Sequence, residues 1–441
     1  MEKEQFLKTS QTYLEKLFPI CRSLTGLGNR QSLKILQELV DLKIHEVSSG
    51  TTIYDWTVPS EWTIRDAWIK DSRGQKVIDF QKNNLHLVSY SQPIHQTFSF
   101  EELKSYLHTL PQHPDLIPYR TSYYKEAWGF CLSQKQWDSL DPRGTYEVFI
   151  DSELNPNGSL TYAETYKKGE VDEEIILSAY FCHPSMANDS LSGVINAVLL
   201  FQTLLNQKTY YSYRLVLVPE TLGALTYLHQ NEKHVKENVT AAAVITTCGG
   251  PGPLGLKPSF LGNHEIDLLA RKALDETKTQ WVEYPFVPDG SDERQYSSPG
   301  FRIPSVSITK DKYYEYRQYH TSGDNLDFVK PQQLWESFQV YNRWVELLES
   351  NRQYTRAEPH GEFQLGKRGL YPNLGGALQQ GAAQADAVTE ADVTALSWLM
   401  WGCDGSKSLL EIAALSKVDF DLLHKNARRL LDHRLIHHRP Q

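Results

Sequence analysis

Two histidines and several acids stand in this chain where a metal could use them. His183 closes the apolar run "IILSAYF" in "FCHPSMANDSLSG", and Asp189 follows just before a helical pattern. Glu220 ends "YRLVLVPE", while His320 and Asp324 lie in "YHTSGDN", downstream of the apolar run "IPSVSIT". The loop "PDGSDERQY" supplies Asp289, Asp292, Glu293 and Arg294 just ahead of that last run. In an open α/β sheet, ligands gather outside the carboxyl ends of the strands, so these distant segments can meet at one rim. Imidazoles and carboxylates suit zinc, which keeps a position open for water when catalytic. An open zinc lowers the pKa of that water towards roughly 7, and a nearby carboxylate can take the proton. His183 and Asp189 are thus placed to hold one metal or a pair.

The surrounding elements can be read from hydrophobic period. Residues 1–45 carry apolar positions at helical spacing, among them Phe6, Leu14, Leu17, Leu33 and Leu36. From Val47 to Tyr166, short β-rich runs alternate with turn clusters such as Asp71-Ser72-Arg73-Gly74 and Asn155-Pro156-Asn157-Gly158. From residue 170 the rhythm becomes strand then helix: "EEIILSAYF", "SLSGVINAVLLFQTLL", "YRLVLVPE", "LGALTYLHQN", "TAAAVITTC". That alternation predicts an α/β fold, a doubly wound and mostly parallel sheet. The predicted division is a discontinuous catalytic domain (1–46 and 167–350), an inserted β-rich domain (47–166), a Gly/Ala/Gln-rich linker (351–385) and a C-terminal unit (386–441). The helical patterns of that last unit and its possible β tip, "LIHHRP", resemble a winged helix.

Composition narrows the function classes. A net charge of −9 over 441 residues argues against general affinity for nucleic acid or anionic membranes. Lys and Arg exceed Asp and Glu by seven to six from Ala391 onward, a poor footprint for a DNA reader. Protein docking or structural support, including homo-oligomerisation, ranks above operator binding there. Five scattered cysteines without a CxxC pair point to a reducing compartment, and the N-terminus lacks the pattern of a secretory signal. No run reaches the roughly 20 apolar residues of a membrane span. A cytoplasmic protein is expected.

The residues in "HPSMANDSLSG", "VPETLGA" and "YHTSGDN" resemble the zinc aminopeptidases of the bacterial leucyl-aminopeptidase type, with their glutaminyl-cyclase relatives. The likeness covers about residues 170–350. The whole chain looks like an aminopeptidase-like branch often associated with polysaccharide or secondary-metabolite biosynthesis. The resemblance implies His183, Asp189 and His320 as metal ligands, with Asp189 as the bridge where two ions bind. Glu220 stands where the family has two adjacent acids, here Pro219-Glu220, and is implied as either the general base or a ligand, the base being the preferred role. The family's further Asp is missing at Thr246-Thr247-Cys248-Gly249, so one zinc is the preferred version and Cys248 the candidate substitute for a second. Asp292 and Glu293 are implied to bind a substrate amine or orient a ligand, and Arg294 to meet a substrate carboxylate.

Blander roles compete at each position. His183 alone could be a hydrogen-bonded strand end, and Cys182, next to it in the run, reads as core. Cys248 could equally be a small buried hydrophobe. His264-Glu265 fails as HExxH because Leu268 occupies the second histidine position, and no G-x-S-x-G is present. Asp324 reads as a support or loop cap rather than a ligand. "YRTSYYKEAWGFC", Tyr119 to Cys131, is aromatic enough for core, with substrate covering as the other option. The leading expectation is a zinc-dependent aminopeptidase-like hydrolase acting on a small peptide or aminoacylated metabolite. The alternative is a catalytically degenerate metal- or ligand-binding protein; a transcription regulator ranks third.

Overall fold

A computed structural model of the chain describes residues 1–371 and 388–438. Its largest element is an eight-stranded sheet. In spatial order the strands are Lys43–Ser48, Ser159–Lys167, Ser212–Val218, Glu174–Tyr180, Val239–Val244, Ser305–Lys310, Leu254–Lys257 and Val282–Glu283. The four strands from Ser212–Val218 to Ser305–Lys310 run parallel. Ser159–Lys167 joins them antiparallel, with Lys43–Ser48 antiparallel to it in turn, and Leu254–Lys257 joins antiparallel on the other side. The sheet is therefore mixed, with a parallel centre. Every residue of Glu174–Tyr180 is buried, the mark of a strand covered on both faces, which is why its sequence reads as a continuous apolar run.

A second, antiparallel sheet has the order Lys76–Asp79, Glu61–Lys70, Thr145–Asn155, Ile94–Ser99. The turn Asn155-Pro156-Asn157-Gly158 carries the chain from Thr145–Asn155 into Ser159–Lys167 of the large sheet. One apolar cluster includes residues of both sheets, among them Ile69, Val148 and Ile150 with Ile176, Val216 and Val218. Met1–Trp344 accordingly forms one compact unit and Val345–Gln441 a second.

The second unit has helices Glu390–Gly402, Leu409–Ser416 and Phe420–Asp432 and a three-stranded sheet in the order Asp404–Ser408, Gln353–Arg356, Ile436–His438. Its middle strand comes from within the segment read as a linker from sequence; residues 372–385 of that segment lie outside the described residues. Among the described residues, no helix is long and apolar enough to cross a membrane.

Candidate metal centre

The centre is built from chain leaving the parallel strands. After Glu174–Tyr180 the backbone runs on beside its neighbour, Phe181 N–H donating to the Val218 carbonyl at 3.0 Å. His183 follows. Its carbonyl accepts from Nε of the fully buried Arg22 at 3.1 Å, and Arg22 Nη1 donates to the Leu17 carbonyl at 2.5 Å. The N-terminal helix Lys3–Leu17 is thereby tied to the histidine. Asp189 lies in the turn Ala187–Ser192, ahead of helix Gly193–Leu205. That turn is organised by Asp324, whose carboxylate accepts the N–H groups of Ala187, Asn188 and Asp189 at 3.1, 2.5 and 2.9 Å. The Tyr316 hydroxyl donates to the same carboxylate at 3.1 Å. Gly193 lets the helix start lie against the adjacent strand end: a Cβ there would sit 2.1 Å from the Ile245 carbonyl oxygen and 2.6 Å from Thr246 Cα.

These supports aim the Asp189 carboxylate. Oδ1 accepts from the Tyr180 hydroxyl at 2.5 Å, and that hydroxyl accepts from Thr246 Oγ1 at 2.7 Å. Oδ2 faces the imidazoles, 3.0 Å from His320 Nε2 and 4.0 Å from His183 Nε2. One ligand atom each from His183, Asp189 and His320 lies within 4.8 Å of the others. Burial pushes His183 down to about 4, despite the opposing pull of Asp189, so its ring is neutral near pH 7 with a lone pair to offer. Burial alone would raise Asp189, but His183, His320 and the Tyr180 hydroxyl outweigh it and hold the carboxyl at about 2. Neutral imidazole and ionised carboxylate are the protonation states a zinc ion requires. His320 Nε2 is buried and, though close to Asp189, makes no aligned hydrogen bond among the described residues. A shared cation would satisfy both atoms, so the donor set fits zinc.

Glu220 stands beside this group. Its Oε2 is 3.8 Å from His183 Nε2, and its N–H donates to Cys182 Sγ at 3.2 Å. Burial, then the charges of Asp292 and Asp189, push its carboxyl well above the usual range. The next residue, Thr221, has φ +61°; its N–H donates to Asp292 Oδ1 at 2.7 Å and its hydroxyl accepts from Arg294 Nη2 at 3.0 Å. Asp292 and Arg294 therefore hold the turn that presents Glu220. Burial pushes Asp292 up to about 7. Glu293 turns the other way, ion-paired with buried Lys257 and accepting from the Tyr313 hydroxyl at 2.7 Å. Asp292 Oδ2, Glu293 Oε2 and Arg294 Nε are buried without a hydrogen-bond partner among the described residues.

The two cysteines weighed from sequence fall outside the ligand group. Cys248 Sγ donates to the Thr246 and Ile308 carbonyls at 3.2 and 3.7 Å, and burial pushes its thiol up to about 12. Cys182 is buried with Sγ 3.7 Å from His183 Nδ1, and its thiol is raised far above the reactive range, chiefly by burial. Two contributors, Tyr180 and Arg22, are not singled out by the sequence. Tyr119, which opens the aromatic stretch read as core or substrate cover, lies with its ring centroid 5.4 Å from His183 and 5.2 Å from His320.

With this geometry in hand, comparison with known proteins locates the chain. A family model described as a domain of unknown function, DUF4910, matches residues 11–351, and a winged helix-turn-helix model matches residues 352–438. A Clostridium acetobutylicum protein, named for polysaccharide biosynthesis and an aminopeptidase-like domain, is 46% identical over 407 residues, covering 92% of this chain and 91% of its own length. A crystal structure named as a peptidase from Clostridium acetobutylicum has a TM-score of 0.89 at 42% identity, covering 99% of this chain and 98% of that one. BSAP, a zinc aminopeptidase from Bacillus subtilis, has a TM-score of 0.57 at 13% identity, covering 78% of this chain and 94% of that one. The peptidase M28 precursor of Shewanella amazonensis gives 0.54 at 15%, covering 79% and 96%. At such identities these last two likenesses show a shared fold. The chain is a member of the DUF4910 family, an aminopeptidase-like domain followed by a winged helix.

Proposed function

We propose that the protein is a zinc-dependent hydrolase of the aminopeptidase kind, acting on a small peptide or an aminoacylated small molecule. The observation that carries this reading is the meeting of His183, Asp189 and His320, with Glu220 3.8 Å from His183. When bound, zinc supplies carbonyl polarisation and a water acidified towards a pKa of roughly 7. His183 and His320 would serve as imidazole donors and Asp189 as the anionic one, oriented by Asp324 and Tyr180. Glu220 takes the proton of the attacking water and returns it to the leaving amine. The unpartnered Oδ2 of Asp292 suits a substrate amine, and Arg294 suits a substrate carboxylate. One ion per chain is the preferred count. The name of the 46%-identical relative links that protein to polysaccharide biosynthesis and supports a small-molecule substrate.

The finer assignments belong to the same reading: likeness to the leucyl-aminopeptidase and glutaminyl-cyclase type, a doubly wound catalytic domain of 1–46 and 167–350, and the segment 47–166 as its insertion. The near-neutral charge of the C-terminal unit favours a protein partner or a second copy over nucleic acid. The free cysteines favour the cytoplasm.

The test is hydrolysis of a panel of aminoacyl chromogenic amides by full-length protein. Glu220→Gln should lower kcat by about 10²–10⁴-fold with zinc content retained; unchanged turnover rejects the role. A second reading, binding without turnover, is favoured by the rim after Val239–Val244, where Thr246 and Cys248 stand and Cys248 faces backbone carbonyls. Zinc bound by wild type without hydrolysis of any panel member would select it.

A further inference from the structure

Resting on the metal-centre reading, we propose that Tyr119, supplied by the inserted segment, is a positioning residue for the two imidazole ligands. Its ring stands perpendicular to the His320 imidazole, 5.2 Å between centroids at 89°, and 5.4 Å from His183 at 58°. The two imidazoles are themselves 5.2 Å apart, so the three rings form one mutually contacting group. Tyr319 stacks on His320 at 3.9 Å and 14°, which leaves the imidazole held on two sides. The Tyr119 hydroxyl is engaged with the Tyr123 hydroxyl at 2.9 Å; the ring, rather than the hydroxyl, meets the ligands.

Backbone pairing supplies the second line of evidence. His320 has φ +53°, a left-handed conformation that a residue with a Cβ keeps only when its surroundings fix it. The inserted segment provides that fixation. Tyr119 N–H donates to the His320 carbonyl at 2.8 Å, and Pro118 bridges Thr321. Ser322 N–H donates to the Ile117 carbonyl at 2.9 Å, and Ser322 Oγ accepts from Ile117 N–H at 3.0 Å. Three consecutive residues of the insertion thus lie along the three that begin at the ligand. His320 comes from a loop ten residues beyond the end of Ser305–Lys310, and among the described residues its backbone bond is to Tyr119 rather than to that strand. The insertion therefore pre-organises a ligand that the large sheet leaves distant from its own support. Tyr119 acts through His183 and His320 and takes no part in bond making.

The probe is Zn²⁺ alone, titrated into metal-free full-length protein against a competing chelator, beside the melting temperature of each metal-free variant. Tyr119→Phe keeps the ring and should bind within about twofold of wild type. Tyr119→Leu keeps apolar volume without the ring; it should bind about tenfold more weakly, as losses of ligand-orienting partners typically do, while its metal-free melting temperature stays near that of Tyr119→Phe. Ser322→Ala, which removes one of the pairing bonds, should also weaken Zn²⁺ severalfold and decides the matter if Tyr119→Leu does not fold. Wild-type affinity in the folded Tyr119→Leu or Ser322→Ala protein, with affinity lost in His320→Ala, overturns the proposal and leaves the metal centre standing. An equal loss in Tyr119→Phe and Tyr119→Leu also overturns it, because the ring would then not be the agent. Undiminished binding by His320→Ala is the separate result that removes the metal-centre reading and this proposal together.

Discussion

The Asp189 carboxylate is divided between two neighbours: Oδ1 accepts from the Tyr180 hydroxyl at 2.5 Å, while Oδ2 lies 3.0 Å from His320 Nε2. The first contact fixes the rotation of the carboxylate, and the second brings a histidine from a remote loop to the end of the parallel strands. The supports behind this pair can be removed one at a time.

Asp324 closes three backbone N–H groups of the Asp189 turn. Asp324→Ala strands those buried donors and should cost about 3 kcal/mol, since each unsatisfied group carries a penalty of roughly 1–3 kcal/mol and the turn can partly relax. Zinc affinity should fall with it. Thermal unfolding and metal titration of the variant check both.

Gly193 has no room for a side chain. A Cβ would overlap the Ile245 carbonyl and Thr246 backbone, which cannot move without disturbing the strand end that supports Tyr180. Gly193→Ala should destabilise by about 1–3 kcal/mol or more, although alanine is the better helix former. A stability equal to wild type on denaturant unfolding would contradict the close packing.

The winged unit has its own buried acid. Asp392 accepts from the Thr389 N–H and hydroxyl at 3.1 and 2.8 Å and from Asn426 Nδ2 at 2.9 Å. Lys425 and Arg429 lie at 3.2 and 3.3 Å. Burial would raise this carboxyl, but these partners hold it far below the usual range. A depressed carboxyl contributes stability above its unfolded pKa of about 4, and that contribution is lost as pH falls towards the folded value. Asp392→Asn should therefore cost about 1–3 kcal/mol at pH 7. The melting-temperature gap between wild type and variant should close progressively below about pH 4. A gap independent of pH would contradict the assignment.

Glu174, with a fully buried side chain, is paired by Arg214 through two bonds of 2.7 and 3.0 Å and by His234 at 3.0 Å. Arg214→Met leaves that carboxylate without its main counter-charge and should cost about 3–5 kcal/mol. Combining it with Glu174→Leu should recover much of the loss. Denaturant unfolding of both variants measures the difference.

The candidate site positions were legible because apolar runs with clear ends mark where strands stop: His183 and Glu220 follow such ends closely, and Asp189 comes just ahead of the next helix. His320 was legible only through its spacing from Asp324 in "HTSGD". The strand–helix alternation after residue 170 conveyed the layered fold, but strand direction leaves no trace in periodicity, so the antiparallel flanks had to be seen. Gln353–Arg356 is too short and polar to announce itself; its partners, Asp404–Ser408 and Ile436–His438, make it a strand. Arg22 on the His183 carbonyl and Tyr119 against both imidazoles join segments far apart in the chain. No local pattern encodes such contacts.

The central claim is that His183, Asp189 and His320 share one cation. Elemental analysis of purified full-length protein after zinc loading and removal of excess metal tests it most directly, beside Asp189→Asn and His320→Ala. The account predicts close to one zinc per wild-type chain, retained through dialysis, and loss of that ion from both variants. A folded wild-type protein that retains no zinc, or variants that retain as much as wild type, would contradict it.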